Sequence, residues 1–564
     1  MQIRLTLPSL RYNFLPIAAL GLLAFAGLSQ AQVVIAGPPK VGSSNPVTAE
    51  PLVRRPSTKP CIVPLFTEQE FGDYSAKTFS YAPPADCSGP WAKVVFTADF
   101  TVTAGVQYDR TASIYLGHAN IYYGTTAEPG STLSPSWHVE RDVTDLSSIF
   151  RSSQSGEADI YNIVNSTYTG IIYGNAALEF YPASKRYPAA EAPDLVVPLP
   201  DAEGGAALLA TTTSQLSQSI TLPRNVERAY LDVIAQSQQG DEFWYTCVPN
   251  DVTTPLESCG NTPFRETEIS IDGKPAGVAP VSPWIFTGGI DPFLWIPITG
   301  VQTLDFKPYR VDLTPFAALF SDGSAHTVAL SVFNANNYFL VTANLLAYTD
   351  HGSSEVSGGL ISNDLTAAPS PKIAEDLNLD SSGYGTASVK VSSTRSFAIS
   401  GYINTSHGKV TTTVAQNVNF ASLEKFTISA TAYNQNINQV STVESQTTTK
   451  DEHGTSVLSG QNSFPLDMDI SVLVNADGSE SQTTTSDQVS LVDLRAGRKP
   501  LSYDKEEVKS TDTLNFDSGG NFTGNTGAKS SATGEQFNDK GEWYFLKLTS
   551  AGNVLTGIDH RPCD

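Results

Sequence analysis

Ala92–Val102, AKVVFTADFTV, is the stretch on which the reading of the fold turns. It is a run of strand-forming Val, Phe and Thr, and no strong helical period overlays it. Similar short runs follow at Thr111–Leu116 (TASIYL), Gly170–Tyr173 (GIIY) and Ala177–Tyr181 (ALEFY), separated by turn residues. Strands spaced by about 8–12 residues point to sandwiches or jelly rolls. Prolines 182, 188, 193, 198 and 200 then break the pattern and mark a boundary. A second β block runs from about Leu199 to Tyr348, with Ala229–Ile234 (AYLDVI), Glu268–Ile271 before the turn Asp272-Gly273, and His326–Phe333 (HTVALSVF). From Asp350 the chain is richer in Ser, Thr, Asn and Gln, with alternating segments such as Ser388–Ser392 (SVKVS) and Val410–Val414 (VTTTV). The expected fold is all-β: a jelly roll over 60–185, a second over 186–350, and a β-rich region over 351–564. Residues 32–59 are Pro-rich and aperiodic, which reads as a linker or extended arm.

Composition agrees and excludes whole classes. A chain of 564 residues has room for two to four domains. Its 16% charged fraction is too low for long coiled coils, and its 10% aromatic fraction is too high for a disordered chain. Thirty-four Lys and Arg against 57 Asp and Glu give −23, or −25 once Arg4 and Arg11 are removed with a leader. That surface repels nucleic acid and anionic membranes and suits a neutral partner such as a carbohydrate. The leader is residues 1–31: Arg4 and Arg11, an apolar run Phe14–Leu28, and Ser29-Gln30-Ala31 as a small-x-small cleavage site. Its apolar run of about 15 residues falls short of the roughly 20 that span a bilayer. A secreted or periplasmic protein without a membrane span is therefore expected. In that setting the cysteines pair locally, Cys61 with Cys87 and Cys247 with Cys259, leaving Cys563 over. No His or Cys spacing matches a metal-ligand pattern, so neither metal nor cofactor is expected.

Three segments place polar groups among aromatic rings. Tyr108-Asp109-Arg110 lies between two strands, and its Asp is either a turn residue paired to Arg110 or a tuned carboxylate at a site mouth. Asp241-Glu242-Phe243-Trp244-Tyr245 sets two carboxylates beside three rings. A sugar, with apolar C–H faces and a belt of hydroxyls, calls for that mixture; the edge of an aromatic-rich sheet would also produce it. Trp284–Trp295, WIFTGGIDPFLW, flanks paired glycines with large rings, and glycine permits close backbone approach.

These segments belong to an ordered set that resembles the peptide-N-glycosidase A family of acid glycoamidases. The matching stretches are Phe71-Gly72, Tyr81–Pro84 with Cys87, Gln107–Arg110, Tyr115–Gly117, Thr126–Pro129, Trp137–Thr144 and Asn162–Tyr173. They continue through Glu242–Tyr245, Pro263–Glu266, Ile285–Trp295, Val311–Phe316 and Phe339–Leu345, covering roughly residues 60–350. A fainter likeness connects Tyr108-Asp109-Arg110 to the Trp-Asp-Arg of peptide-N-glycosidase F, a protein of two jelly rolls whose Asp is the essential carboxylate. That likeness implies the catalytic role for Asp109. The supporting glutamates of that second family fall near Ile163 and Asn261, neither of which is acidic, so either Glu242 or Glu266 substitutes or the mechanism is arranged differently.

The resemblance implies hydrolysis of the amide that joins N-acetylglucosamine to asparagine, on N-glycosylated peptides and proteins, by a monomer working best in acid. Asp109, Glu242 and Arg110 are expected to be catalytic. Glu128, Trp244, Tyr245, Arg265, Glu266 and Trp295 are expected to bind substrate. The alternatives are a non-catalytic glycan-binding sandwich and an endo-β-N-acetylglucosaminidase cutting between the core sugars.

Overall fold

The computed structural model describes residues 33–561. The leader and Cys563 lie outside the described residues. The chain is almost entirely β. Its first eight strands form two four-stranded sheets. One sheet orders Cys61–Phe71, Ile172–Pro182, Trp91–Val102 and Ser136–Asp142; the other orders Lys77–Tyr81, Gln154–Ile160, Thr111–Leu116 and Ala119–Thr125. The next region repeats the plan. Ala207–Leu209, Phe339–Thr349, Val226–Ser237 and Tyr309–Asp312 make one sheet, with Leu195–Leu199 added beside Phe339–Thr349. Leu216–Ile220, His326–Phe333, Glu266–Ile271 and Lys274–Pro280 make the other. In both regions the first strand pairs with the last, the first region placing eight strands and the second nine in two facing sheets. Trp91–Val102 sits at the heart of the first region, where Val94, Phe96, Ala98, Phe100 and Val102 enter the core.

The Ser/Thr-rich remainder is one eleven-stranded antiparallel sheet. From Gly385 to Asn538 its strands run 17 to 21 residues, far longer than the short strands before them. Alternation explains how so polar a sequence packs. Val389, Val391, Phe397 and Ile399 point inward to share a core with the second sandwich, while Ser388, Lys390 and Ser396 face out. Bridges join Cys61 to Cys87 and Cys247 to Cys259.

Residues 33–59 are not a free linker. Val47 pairs with Ile298, Leu555 and Gly42–Ser43 exchange backbone hydrogen bonds, and Arg55 reaches Glu140 and Glu179. The segment is an arm strapped across all three regions, with Ala49 fully buried. Among the described residues no helix is long and apolar enough to cross a membrane.

Candidate active site

Three carboxylates from distant parts of the sequence meet where the two sandwiches adjoin. Asp109 ends the loop before Thr111–Leu116, Glu128 follows Ala119–Thr125, and Glu242 lies in the turn after Val226–Ser237. All three are half-buried and reachable from solvent. Asp109 and Glu128 are held by reciprocal backbone bonds. Arg110 N–H donates to Thr126 Oγ1 at 2.8 Å, Thr126 N–H donates to the Arg110 carbonyl at 2.8 Å, and the Asp109 N–H donates to Glu128 Oε2 at 3.3 Å.

The fourth wall is the loop 284–295. The Gly288 N–H donates to Asp109 Oδ2 at 2.8 Å. A Cβ there would fall 1.9 Å from Glu128 Oε2 and 3.2 Å from Asp109 Oδ2, so only glycine admits both carboxylates. Ile290, two residues on, has φ +65°, a costly conformation for a β-branched residue. Neighbours hold it in place. The Trp295 indole donates to the Gly289 carbonyl at 2.9 Å, Asp291 Oδ1 accepts from Phe293 N–H at 2.9 Å, and Thr287 Oγ1 donates to the Thr126 carbonyl at 2.7 Å. The long sheet braces this loop from behind. Gln488 accepts from Val301 N–H and donates to the Pro283 carbonyl, Glu506 accepts from Gln302 N–H, and Phe522 stacks on Phe293.

Electrostatically the cluster is three acids with one cation. Burial raises Asp109, while the Gly288 N–H and the Arg110 charge pull it back. Burial and the Asp109 charge push Glu128 up to about 8. Glu242 is held well above the usual carboxylate range by burial and by the charges of Asp109 and Glu128, with no hydrogen bond opposing the shift. Arg110 lies over the Tyr108 ring at 5.2 Å, and its buried Nε and Nη2 have no protein partner. Tyr168 completes that side, its hydroxyl 3.2 Å from that of Tyr108.

The other expected site residues lie elsewhere or act differently. Trp244, Tyr245 and Trp295 are buried to within 2% of complete and present no face to a sugar; their rings pack in the core beneath the site. Arg265 is buried against Asp241 at 2.9 Å. That same Asp241 accepts from the N–H groups of Asn336, Asn337 and Tyr338 at 2.8–2.9 Å, so the pair fixes the turn that carries Glu242 rather than contacting substrate. Glu266 is paired with Arg395 of the long sheet, away from the three carboxylates. Sequence reasoning gave no role of their own to Thr126 and Tyr168, and it noted Asp241 only as a carboxylate beside rings, since their roles depend on contacts that no local motif encodes. Glu227, Asp350 and His407 bring possible ligand atoms within 4.8 Å of one another. Asp350 already accepts from Ser406 and Gly352, which accounts for its carboxylate without an ion.

Residues 51–366, which hold every member of this cluster, match the model of the family peptide N-acetyl-beta-D-glucosaminyl asparaginase amidase A. The chain belongs to that family. It is also 31% identical over 384 residues to the peptide-N4-(N-acetyl-beta-glucosaminyl)asparagine amidase A of Prunus dulcis, covering 64% of this chain and 66% of that relative's length. Two solved structures of PNGF-II align over 52% of this chain and 66% of theirs, at 12% and 13% identity and a TM-score of 0.35, too distant to place individual residues. Most of the eleven-stranded sheet lies beyond the segment that defines the amidase A family.

Proposed function

We propose that the protein is an exported peptide-N-glycosidase that hydrolyses the amide between asparagine and the first N-acetylglucosamine of N-glycosylated peptides and proteins. The observation that carries this reading is the meeting of Asp109 and Glu128 at Gly288, with Glu242 close enough to feel both charges, in a chain of the amidase A family. Amide hydrolysis needs a base to activate water and an acid to protonate a poor leaving nitrogen. Carboxylates supply both when their surroundings separate their proton affinities. Asp109, stabilised as an anion by Gly288 and Arg110, is the first of the three to ionise and takes the proton from water. Glu242, surrounded only by groups that raise it, keeps its proton and donates it to nitrogen. Arg110, with two unpartnered nitrogens, is placed to polarise the carbonyl oxygen. Glu128 stays protonated beside Asp109 and positions it. The C–N bond breaks, aspartate remains on the peptide, and the sugar departs as a glycosylamine that loses ammonia.

Digestion of a glycopeptide in heavy-oxygen water tests the reading. The peptide is expected to carry Asp for Asn with label in the new carboxylate, and the glycan to leave whole. A peptide retaining one N-acetylglucosamine marks an endo-glycosidase, and unchanged glycopeptide marks a binding protein; either overturns the proposal.

A further inference from the structure

Beside the three carboxylates lies a second constellation that their chemistry does not use. Strand Gln154–Ile160 pairs with Thr111–Leu116, with Ile160 opposite Ala112. Tyr161 follows the strand Gln154–Ile160 directly, and its neighbour Tyr74 acts electrostatically on Tyr338, whose carbonyl accepts from the Gln238 N–H at 2.9 Å. Two residues of chain separate Thr111 from Asp109, at most about 7 Å. Tyr161 is 36% exposed, and Tyr74, 68% exposed, lies against it with centroids 5.0 Å apart and planes tilted by 32°.

The second sandwich supplies the facing polar groups. Gln238 Nε2 donates to Thr111 Oγ1 at 2.6 Å, and Thr111 Oγ1 donates to Gln236 Oε1 at 3.1 Å. Gln236 is fully buried, yet its Nε2 has no partner, and a buried amide donor left unpaired is costly unless something else fills it. Asp159, on the same face of its strand as Tyr161, also keeps a buried oxygen without a partner. Two exposed rings beside buried amide and carboxyl groups suit a ligand with apolar C–H faces and hydroxyls. Glu157, Asp201 and Glu203 surround the place with negative charge, which disfavours acidic sugars.

We propose that Tyr74 and Tyr161, with Thr111 and Gln238 held from beneath by Gln236, form a subsite for a neutral sugar of the glycan beyond the one joined to asparagine. The inference rests on the glycoamidase reading for its catalytic readout, and a binding readout stands apart from it.

On a glycopeptide bearing a full neutral N-glycan, Tyr161→Ala and Tyr74→Ala are expected to raise KM about tenfold with little change in kcat, a loss in the range of one aromatic contact. On a glycopeptide carrying a single N-acetylglucosamine the penalty shrinks below about threefold, as there is no outer sugar to lose. Tyr161→Trp restores the full-glycan KM. Tyr384→Ala, removing an exposed ring on the distant sheet, changes neither substrate. Equal penalties on both substrates, or none, overturn the subsite while the amidase reading stands. If the wild type converts neither substrate, the amidase reading fails and calorimetry decides the subsite. The Asp109→Asn protein should then bind a free neutral N-glycan about tenfold more tightly than its Tyr161→Ala double variant. Equal binding overturns the proposal.

Discussion

Two sets of carboxylates in this molecule are pushed above the usual carboxylate range. In the cluster between the sandwiches, burial and neighbouring charge push Glu128 to about 8. In the seam between the second sandwich and the long sheet, burial lifts Glu268 and Asp291 to about 8 and Glu50 to about 7. What differs for Glu50 and Glu268 is pairing and not exposure, since they are partly exposed like Asp109, Glu128 and Glu242. Glu266 and Glu268 share Arg395, and Glu50 and Asp305 share Lys307. Asp109, Glu128 and Glu242 have only the single Arg110 among them, and it keeps two nitrogens unpaired. A raised carboxylate therefore marks a strained electrostatic environment, and a neighbouring guanidinium with two donors left free is what turns that environment into a site.

The contrast is tested most severely by Asp109→Asn. The swap keeps shape and one acceptor for the Gly288 N–H but ends proton exchange. Turnover is expected to fall about 10²–10⁴-fold, roughly 3–5 kcal/mol of barrier. Thermal stability should hold or rise, because one of three clustered acids is gone. A variant that keeps more than about a tenth of the wild-type rate takes Asp109 out of the chemistry.

Arg395→Gln probes the other set. It strands the buried Glu266 and leaves its partly exposed neighbour Glu268 without a cation, a loss of about 3–5 kcal/mol for a broken buried pair, measured by urea unfolding near pH 8. The penalty should shrink at pH 5, where both acids take up protons. Turnover per folded molecule should stay within about twofold of wild type, since no reacting group is touched. A collapse in kcat with the fold intact would join the seam to the site.

Stability should also follow pH with a fixed sign. Glu50, Glu268, Asp291 and Glu424 hold protons in the folded chain up to about 7 or 8, whereas unfolded carboxylates lose theirs near 4. Between those limits the folded state binds more protons, so their stabilisation is complete below about pH 4 and is lost as pH rises through 7–8. Glu140 works at the opposite end. Although burial opposes it, hydrogen bonds from His138 and Arg55 hold it near 2, so its contribution fails only as pH drops toward that value. The melting temperature should therefore be higher at pH 5 than at pH 8. A flat or rising profile would mean that the seam does not bury these acids in solution.

How much of this was legible in the sequence depended on the range of the contacts. Ala92–Val102 declared a strand because its information is local, and Asp109, Glu128 and Glu242 each sit in a short motif of mixed polar and aromatic residues. Glu266 looked like another such residue, but its partner Arg395 is 129 positions later, and strand alternation turned it toward the seam. Trp244, Tyr245 and Trp295 suggested platforms because composition reports that a ring is present and not which way it faces. The Pro-rich arm lacks periodicity, so contacts such as Ser44 with the Asn553 carbonyl, 509 residues apart, left no trace in it. The Thr- and Ser-rich strands alternated as expected, yet nothing local announced lengths of 17 to 21 residues.

Gly288→Ala sharpens the contrast at the level of backbone. The new methyl must displace Glu128, and with it the carboxylate nearest Asp109. A fall in kcat of about ten- to hundredfold is expected, each tenfold being about 1.4 kcal/mol. The melting temperature should change little, because a half-exposed side chain can swing into solvent. Gly37→Ala, where a Cβ meets nothing within 4 Å, is the silent control.

The smallest expected effect separates two uses of one ring. Trp295 is 2% exposed, and its indole N–H is committed to the Gly289 carbonyl at 2.9 Å, one residue from the N–H that holds Asp109. If Trp295 is a brace, Trp295→Phe keeps most of the packing and loses that one bond, a change of about 0.5–1.5 kcal/mol. The loosened loop would set Gly288 less firmly against Asp109, so kcat should drop about two- to tenfold while KM for glycopeptide stays put. A stacking platform predicts the reverse: a Phe preserves kcat, and the smaller face raises KM. The ratio of the two parameters decides, and it does so without reference to stability, which both readings allow to fall slightly. A rise in KM at constant kcat would show that the loop opens enough in solution to present the ring. It would also move the boundary between site and scaffold from the surface of Gly288 to the core beneath it.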